Sequence, residues 1–298
     1  MTIDFETDRR ANLIGSLWMV AAMVAFAVED VFVKAISEAL PIAQILIIFG
    51  LGGAFIFASV ALFKRERLFS SDVYSRPMRF RVLFEILGRL FYMLAIALTP
   101  LSSATVILQA TPIVVVAGAA LFFREKVGRR RWVAILIGLL GVVVIVRPGT
   151  ESFSMLSLLA VLGMLGFAGR DLASRAAPTS LSTSILGLYG FLSVLVAGVL
   201  FSAWEVKPFV HPGFETSLYL LGAMLTGVTA YSCLMKAMRT GEISAVTPFR
   251  YTRMLFGIAF GVLLFDEQLG LSMLIGCGLI VISGLFILWR GKQVRTPE

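Results

Sequence analysis

Two ten-residue stretches decide how this chain folds, because they repeat one pattern far apart in the sequence. The first stretch reads FAVEDVFVKA at residues 26–35, and the second reads FAGRDLASRA at residues 167–176. Both match F-A-x-x-D-x-x-x-(K/R)-A, at an offset of 141 residues. A further correspondence aligns FRE at residues 123–125 with FDE at residues 265–267. A repeat of this length indicates that the chain consists of two copies of one structural unit.

The composition places these two units in a membrane rather than in water. Of the 298 residues, 58% are hydrophobic and 15% are charged, and the mean hydropathy is +0.92. A soluble domain is about 45–50% apolar and about 25% charged, and a helix that spans a bilayer needs about 20 apolar residues. The sequence therefore excludes a large soluble catalytic domain and a disordered chain.

Apolar segments separated by proline, glycine and charged residues predict ten membrane-spanning helices. The third and fourth segments are nearly continuous, so nine spans is the alternative count. The two halves are predicted at residues 12–147 and 153–289, between cytoplasmic tails at residues 1–11 and 290–298. The expected spans are residues 12–36, 42–63, 78–98, 101–124, 131–147, 153–173, 181–204, 214–239, 241–265 and 269–289.

An odd number of helices in each half means that the second half crosses the membrane in the opposite direction. The sequence thus predicts an all-α membrane protein, with ten transmembrane helices arranged as two inverted five-helix repeats around a central cavity. Such repeats are typical of secondary transporters, which bind their substrate between the halves near the membrane midplane. The alternative is that the repeat records only a gene duplication.

The distribution of basic residues predicts an orientation for these spans. With the N-terminus in the cytoplasm, only Lys34, Arg147 and Lys207 fall on the outer side, and the other Lys and Arg residues near the span ends collect inside. The positive-inside rule then predicts that both termini are cytoplasmic. This asymmetry accounts for the net charge of +8, so we expect a lipid bilayer, and no nucleic acid, as a partner.

Short motifs near the end of each half carry a family resemblance. Each half has an acidic motif after its fourth helix, at Glu125 and Glu267, followed by a glycine-rich fifth helix. With this pattern, the chain resembles over nearly its whole length the ten-helix, EamA-type branch of the drug/metabolite transporter superfamily. It departs from the family where Pro112 aligns with Met254, since a proline is often kept in both halves. The glycines of the fifth helices are Gly138, Gly141, Gly276, Gly278 and Gly284.

The resemblance implies a transporter of the bacterial inner (plasma) membrane that exports small metabolites, most nearly aromatic or neutral amino acids. The alternatives are export of drugs or lipophilic cations, export of nucleotide sugars, and, outside the superfamily, an intramembrane enzyme or scaffold. The sequence has no HExxH, GxSxG, CxxC or Walker-type motif, so we expect no catalytic residues, no metal, no cofactor and no direct use of ATP. Both a monomer and a homodimer remain open.

Charged and polar residues inside the predicted spans are candidates for a substrate site, because a charge within a membrane needs a partner or a cavity. In the third span Glu85, Arg89 and Tyr92 lie on one helical stripe. The alternative to a binding role is an internal Glu85–Arg89 pair with i,i+4 spacing. Arginine suits a substrate carboxylate because its planar guanidinium binds both oxygens. The expected substrate-binding residues are Glu85, Arg89, Tyr92, Gln109, Tyr231 and Arg253.

Two acidic–basic pairs near the ends of the first and sixth spans predict gates. Asp30 with Lys34, and Asp171 with Arg175, have the i,i+4 spacing of a local ion pair and are expected at opposite membrane faces. Each pair either exchanges partners when one side opens or only anchors a helix end. Arg250 is expected to extend to the cytoplasmic surface. A small-molecule substrate with a carboxylate, an amino group and an apolar side chain fits these residues, as does another small organic anion.

Overall fold

The structure is a computed structural model that describes residues 3–122, 129–146, 155–178, 180–240 and 247–291. All regular structure within these ranges is helical. Short 3-10 helices lie at Ser71–Tyr74 and Thr247–Tyr251. The α-helices of these ranges, numbered in chain order, are α1 Ile3–Ile36, α2 Ile42–Phe63, α3 Arg76–Leu98, α4 Leu101–Leu108, α5 Thr111–Phe122, α6 Arg129–Val146, α7 Ser157–Arg175, α8 Thr183–Glu205, α9 Phe214–Thr240, α10 Thr252–Phe265 and α11 Leu271–Gly291.

The ten expected spans correspond to these helices, and the main differences from the prediction are in the first, fourth and ninth spans. Helix α1 begins at Ile3 and not near residue 12, because no proline or glycine interrupts residues 3–14. The fourth span is divided into α4 and α5. Residues 241–246 of the expected ninth span lie outside the described residues, and its described part is the 3-10 helix Thr247–Tyr251 followed by α10.

The two halves interlock through pairs of helices that follow the repeat. Helix α1 packs on α9, and α7, the counterpart of α1 in the second half, packs on α3, the counterpart of α9. Two further pairs join a helix to its own counterpart, α2 to α8 and α6 to α11, and α4 packs on α10, the counterpart of α5 in the second half. This exchange symmetry is the arrangement expected of two inverted five-helix repeats. It places α1, α3, α4, α7, α9 and α10 around the middle of the molecule.

Small residues allow α3 and α7 to approach closely. A Cβ added at Gly166 of α7 would overlap the backbone of Gly88 in α3, and a Cβ added at Gly163 would lie 2.9 Å from the backbone nitrogen of Tyr92. Close backbone approach at small residues is the usual way in which helices pack in a membrane. The contact fixes the third helix, with Arg89 and Tyr92, against the second half.

The break between α4 and α5 follows from Pro112. Proline has no N–H to donate to the carbonyl of Leu108, four residues earlier, and the Thr111 hydroxyl donates to that carbonyl instead, at 2.5 Å. Pro112 therefore accounts for the interruption of regular helical hydrogen bonding at Leu108. In the second half the Thr252 hydroxyl donates to the carbonyl of Phe249 at 2.7 Å, 141 residues further on, although no proline follows it there.

This repeated contact gives the two halves an offset of 141 residues at the break. The threonine bonds align Gln109 with Arg250, and Pro112 with Arg253 rather than with Met254. An interruption of regular helix thus occurs at the same place in both halves. Irregular backbone within a membrane is tolerated where it is buried in protein or lines a cavity, so both interruptions are suitable places for a site.

The outer surface of the bundle is apolar, as a bilayer requires. Phe55 of α2, Leu136 of α6 and Leu263 of α10 are exposed although they lie within helices. By length and composition, four helical segments in the described ranges are able to cross a membrane without further support: Ile42–Phe63, Ser157–Ser174, Thr183–Glu205 and Phe214–Ala237. The shorter apolar segments are Leu101–Val115, Leu136–Ile145 and Leu271–Ser283.

Candidate functional site

A polar cavity lies between the two halves, beside the interruptions in the fourth and ninth spans. It contains about 650 Å³ of space free of protein atoms, part of it open to the surroundings. Its apolar wall includes Met23, Phe26 and Phe167. Arg170 and Asp171 of α7, and Arg250 of the 3-10 helix, also line it. Of the six expected substrate-binding residues, five line this cavity: Arg89, Tyr92, Gln109, Tyr231 and Arg253.

Asp30 and Arg253 form an ion pair that joins the two halves. The Arg253 Nη2 atom lies 2.7 and 2.9 Å from the two carboxylate oxygens of Asp30, and the Tyr92 hydroxyl donates to the same carboxylate at 3.1 Å. The guanidinium carbon of Arg253 lies 4.9 Å from the ring centre of Phe26 and 5.3 Å from that of Tyr92. The cation of Arg253 is therefore neutralised by Asp30 and packed between two aromatic rings.

Arg89 is paired with Glu29, and not with Glu85 as in the internal pair that was the alternative to a binding role. The Arg89 Nη1 atom lies 2.6 Å from Glu29 Oε1, and the guanidinium lies 5.0 Å from the ring centre of Phe49. Glu85 does not line the cavity, since its side chain is only 3% exposed and turns towards Arg170. The i,i+4 rule identified a possible partner on the same helix, whereas helix packing brought a carboxylate from α1 closer.

Five charged side chains of alternating sign continue from Glu85 into the second half, and we call them the five-charge chain. Arg81 contacts Glu85 at 3.8 Å, and Glu85 contacts Arg170 at 3.3 Å. Asp171 then joins Arg170 to Arg250, with 2.9 Å to each. The chain begins and ends with an arginine, so it holds three positive and two negative charges.

Buried polar groups surround the Arg81 end of this chain. Arg81 donates to the Ser174 hydroxyl at 3.1 Å and to the carbonyl of Leu186 at 3.2 Å. It also contacts the Tyr231 hydroxyl, and Tyr231 lines the cavity. Arg81 is thereby held away from solvent, with an exposed fraction of 1%.

The structure corrects the expected local pairs and the expected position of Arg250. Lys34 does not pair with Asp30; its ammonium group donates to the carbonyls of Thr99 at 3.0 Å and Ala97 at 3.5 Å. Asp30 and Asp171 do not mark opposite faces, because each binds an arginine that lines the same cavity.

Arg250 turns inwards to Asp171 and does not reach the surface. The side chain of Arg175 lies outside the described residues, so the Asp171–Arg175 pair stays a prediction.

One end of the bundle is held together by a carboxylate that the sequence did not connect to the site. Glu267, after α10, accepts hydrogen bonds from the backbone amides of Leu101 at 2.5 Å and Ser102 at 3.0 Å, and from the Ser102 hydroxyl. We call this contact the α4 clamp. A carboxylate suits the first turn of a helix, where backbone N–H groups lack helical partners. Its sequence signal was the acidic motif repeated after the fourth helix of each half.

Further contacts between the halves lie near the ends of α2 and α8. The Gln44 amide both donates to the carbonyl of Val210 at 2.7 Å and accepts from its N–H at 2.9 Å. The amide of Ala43 donates to Glu205 at 3.1 Å. At the other end of α2, the Ser182 hydroxyl bonds to Glu66 at 2.5 Å. These bonds connect α2 to α8 at both ends, beside the helices that line the cavity.

Sequence reasoning missed Glu29, Arg170 and Arg250 as members of the site. A signal for two of them was present, because Arg170 occupies the position of Glu29 in the repeated pattern and both precede the shared aspartate. Because the charge is reversed between these equivalent positions, each residue pairs with an opposite charge: Glu29 with Arg89, and Arg170 with Glu85 and Asp171. Arg250 had no such signal, since its register with Gln109 appears only in the fold.

The helical pairing, the apolar surface and the polar cavity define an integral membrane transporter. The chain belongs to the EamA-like transporter family, whose model matches residues 13–147 and 154–289. Each match covers one five-helix half. The family transports small molecules, which agrees with a polar cavity between the two halves.

Several curated proteins are similar to the chain over almost its whole length. A riboflavin transporter of Rhizobium johnstonii is 28% identical and is covered to 94%, with 96% of this chain aligned. A riboflavin transporter of Vibrio cholerae is 26% identical, with 96% of this chain and 97% of the relative covered. An S-adenosylmethionine uptake transporter of Rickettsia felis is 24% identical, with 97% of both covered. One solved crystal structure is similar with a TM-score of 0.62 at 16% identity, covering 97% of this chain and 99% of its own, which supports the fold.

Proposed function

We propose that this protein is a secondary carrier for a small amphipathic metabolite with a carboxylate group, of which amino acids are the simplest members. The observation that carries the proposal is the central cavity between inverted halves, lined by arginines and by aromatic side chains. Inverted repeats provide two equivalent arrangements of the same helices, which open the site to opposite sides in turn. The protein acts as a carrier and not as an enzyme.

The cavity wall favours a substrate that is part anionic and part apolar. Arg89, Arg250 and Arg253 face it together with the rings of Phe26 and Tyr92. Guanidinium groups bind carboxylates with directed hydrogen bonds, and aromatic rings accommodate an apolar or cationic part. A carrier for lipophilic cations or drugs is disfavoured, because such ligands have no anion to meet these arginines.

The names of the relatives supply a second candidate class. Riboflavin is a neutral aromatic compound and would lie against Phe26, Tyr92 and Phe167, which line the same cavity. S-adenosylmethionine combines an amino-acid end, which suits the arginines of the cavity, with an aromatic base, which suits its rings. The arginines favour a ligand with a carboxylate over riboflavin.

We further propose a location in the bacterial inner membrane with both termini in the cytoplasm, as the basic residues indicate. The family resemblance favours export, whereas the Rickettsia relative is named for uptake. A carrier of this kind exchanges solute in both directions, and the gradients of the cell set the net direction. Exchange is therefore the property to measure.

The test is counterflow in liposomes that contain the purified protein. Vesicles are loaded with unlabelled phenylalanine, methionine, S-adenosylmethionine or riboflavin, and uptake of the same labelled solute is followed. We expect saturable uptake of at least one carboxylate-bearing solute, and none in protein-free vesicles. Saturable uptake of riboflavin alone would support the second candidate and reject the carboxylate proposal. Absence of uptake for the whole panel would reject both.

A further inference from the structure

Among the described residues around the cavity, the positive charges exceed the negative charges by one. Two ion pairs, Glu29 with Arg89 and Asp30 with Arg253, are each neutral. The five-charge chain has three arginines and two carboxylates, so it carries a surplus of one positive charge. An uncompensated charge in a membrane protein is costly unless a partner neutralises it.

The surplus charge is accessible at only one end of the chain in the described structure. Arg81 is buried and is held by Glu85, Ser174, Leu186 and Tyr231. Arg250 at the other end lines the cavity, with 15% of its side chain exposed. Within the described ranges, the bonds of the Arg250 side chain consist of a single contact, from Nη1 to Asp171 at 2.9 Å.

A guanidinium group has five N–H donors arranged in a planar fork. Within the described residues Asp171 occupies a single one of the Arg250 donors, and a carboxylate can occupy two donors of a guanidinium side by side. Arg253 is different, because both oxygens of Asp30 already bind it. Arg89 is held by Glu29 at 2.6 Å. A substrate anion at either of these two sites has to displace a buried carboxylate.

We propose that Arg250 is the residue that recognises the anionic group of the substrate, and that this group is a single carboxylate. One negative charge neutralises the surplus, whereas a phosphate monoester at neutral pH would bring about two. The proposal rests on the proposed function, since it names the receptor within the same cavity. The sequence predicted Arg89 and Arg253 as the residues that bind the substrate carboxylate. The proposal assigns that role to Arg250, the counterpart of Gln109 in the second half.

The test compares two probes, one with this carboxylate charge and one without it, at a mildly acidic pH at which the amino groups of both are protonated. Thermal stabilisation of the purified protein is titrated with phenylalanine and with phenylalaninamide, which keeps the ring and the ammonium group but has no carboxylate. We expect wild-type protein to bind phenylalanine at least ten-fold more tightly than the amide. Arg250→Gln should abolish that preference, because a hydrogen-bonded charge pair contributes about ten- to a hundred-fold in affinity.

Two further variants keep the outcome decisive. Arg79→Gln removes an exposed arginine of α3 and should keep the preference unchanged. Arg250→Lys retains the charge without the fork and should keep part of it, which also covers the case in which Arg250→Gln fails to fold. The proposal is wrong if the preference survives in Arg250→Gln, if Arg250→Lys binds the amide and the acid equally, or if wild type shows no preference.

The outcome is independent of the transport assay. Arg250-dependent binding of the carboxylate with no counterflow of any solute would reject the carrier and keep the receptor. Counterflow of a carboxylate solute with an unchanged preference in Arg250→Gln would keep the carrier and reject the receptor.

Discussion

The α4 clamp predicts how strongly one end of the bundle is held closed. The Glu267 carboxylate accepts two backbone N–H groups and one hydroxyl group from Leu101 and Ser102. A hydrogen bond to a charged group contributes about 1.5–3 kcal/mol. Glu267→Gln keeps one acceptor oxygen and turns an NH₂ group towards a donor, so at least one bond is lost. Allowing for the partial exposure of Glu267, we expect a loss of about 2 kcal/mol, which is a change of roughly 30-fold in the clamped-to-open ratio.

Spin labels on both sides of the clamp measure this ratio. The labels are attached to Leu98→Cys and Gln268→Cys, because both residues are exposed and close in sequence to the two sides of the contact. Cys233 and Cys277 are replaced by serine so that no native thiol is labelled. The roughly 30-fold fall in the clamped-to-open ratio in Glu267→Gln should be visible as a second, longer distance by double electron–electron resonance.

The neighbouring carboxylate provides the matched control for this measurement. Asp266→Asn removes an exposed carboxylate one residue away, at a left-handed backbone position (φ 49°) that asparagine also tolerates. Its distance distribution should equal that of wild type. Identical distributions for Glu267→Gln and wild type would refute the reasoning, because they would mean that the clamp does not hold this end closed.

Three further predictions concern the contacts between the halves. Arg253→Gln leaves Asp30 buried without its cation and should lower the free energy of unfolding by about 3–5 kcal/mol, whereas Arg253→Gln with Asp30→Asn should recover most of the loss in thermal unfolding; equal losses would contradict a coupled pair. Gly163→Ala places a Cβ 2.9 Å from the backbone of Tyr92 and should destabilise the protein by about 1–3 kcal/mol, measured against wild type in the same detergent. Gln44→Ala removes two hydrogen bonds between the halves and should lower the free energy of unfolding by about 2 kcal/mol; no change would show that solvent replaces both.

The architecture was predictable from the sequence because it depends on features that repeat. A duplicated aspartate motif, an odd number of spans in each half and the position of Pro112 are enough to predict inverted halves and an interrupted fourth helix. Helix periodicity also placed Arg89 and Tyr92 on one face, and both line the cavity. These features are local or periodic, so the tertiary fold does not alter them.

The ion-pair partners were not predictable, because they depend on the register between helices far apart in sequence. Spacing rules name partners on the same helix, such as Lys34 for Asp30. In the fold Asp30 binds Arg253, 223 residues away, and Lys34 extends instead to the carbonyls of Ala97 and Thr99. Arg250 was expected at the surface for the same reason: its depth was inferred from a straight helix, and a 3-10 helix turns it inwards.

Accessibility of Gln109 from the two sides of the membrane tests the central claim, one cavity opened alternately by inverted halves. Gln109 lines the cavity next to the break between α4 and α5. Gln109→Cys, in the background without the native cysteines, is placed in oriented liposomes and treated with a membrane-impermeant thiol reagent from one side at a time. We predict labelling from either side, with a transported solute slowing both reactions. Labelling from one side only, under all solute conditions, would contradict alternating access.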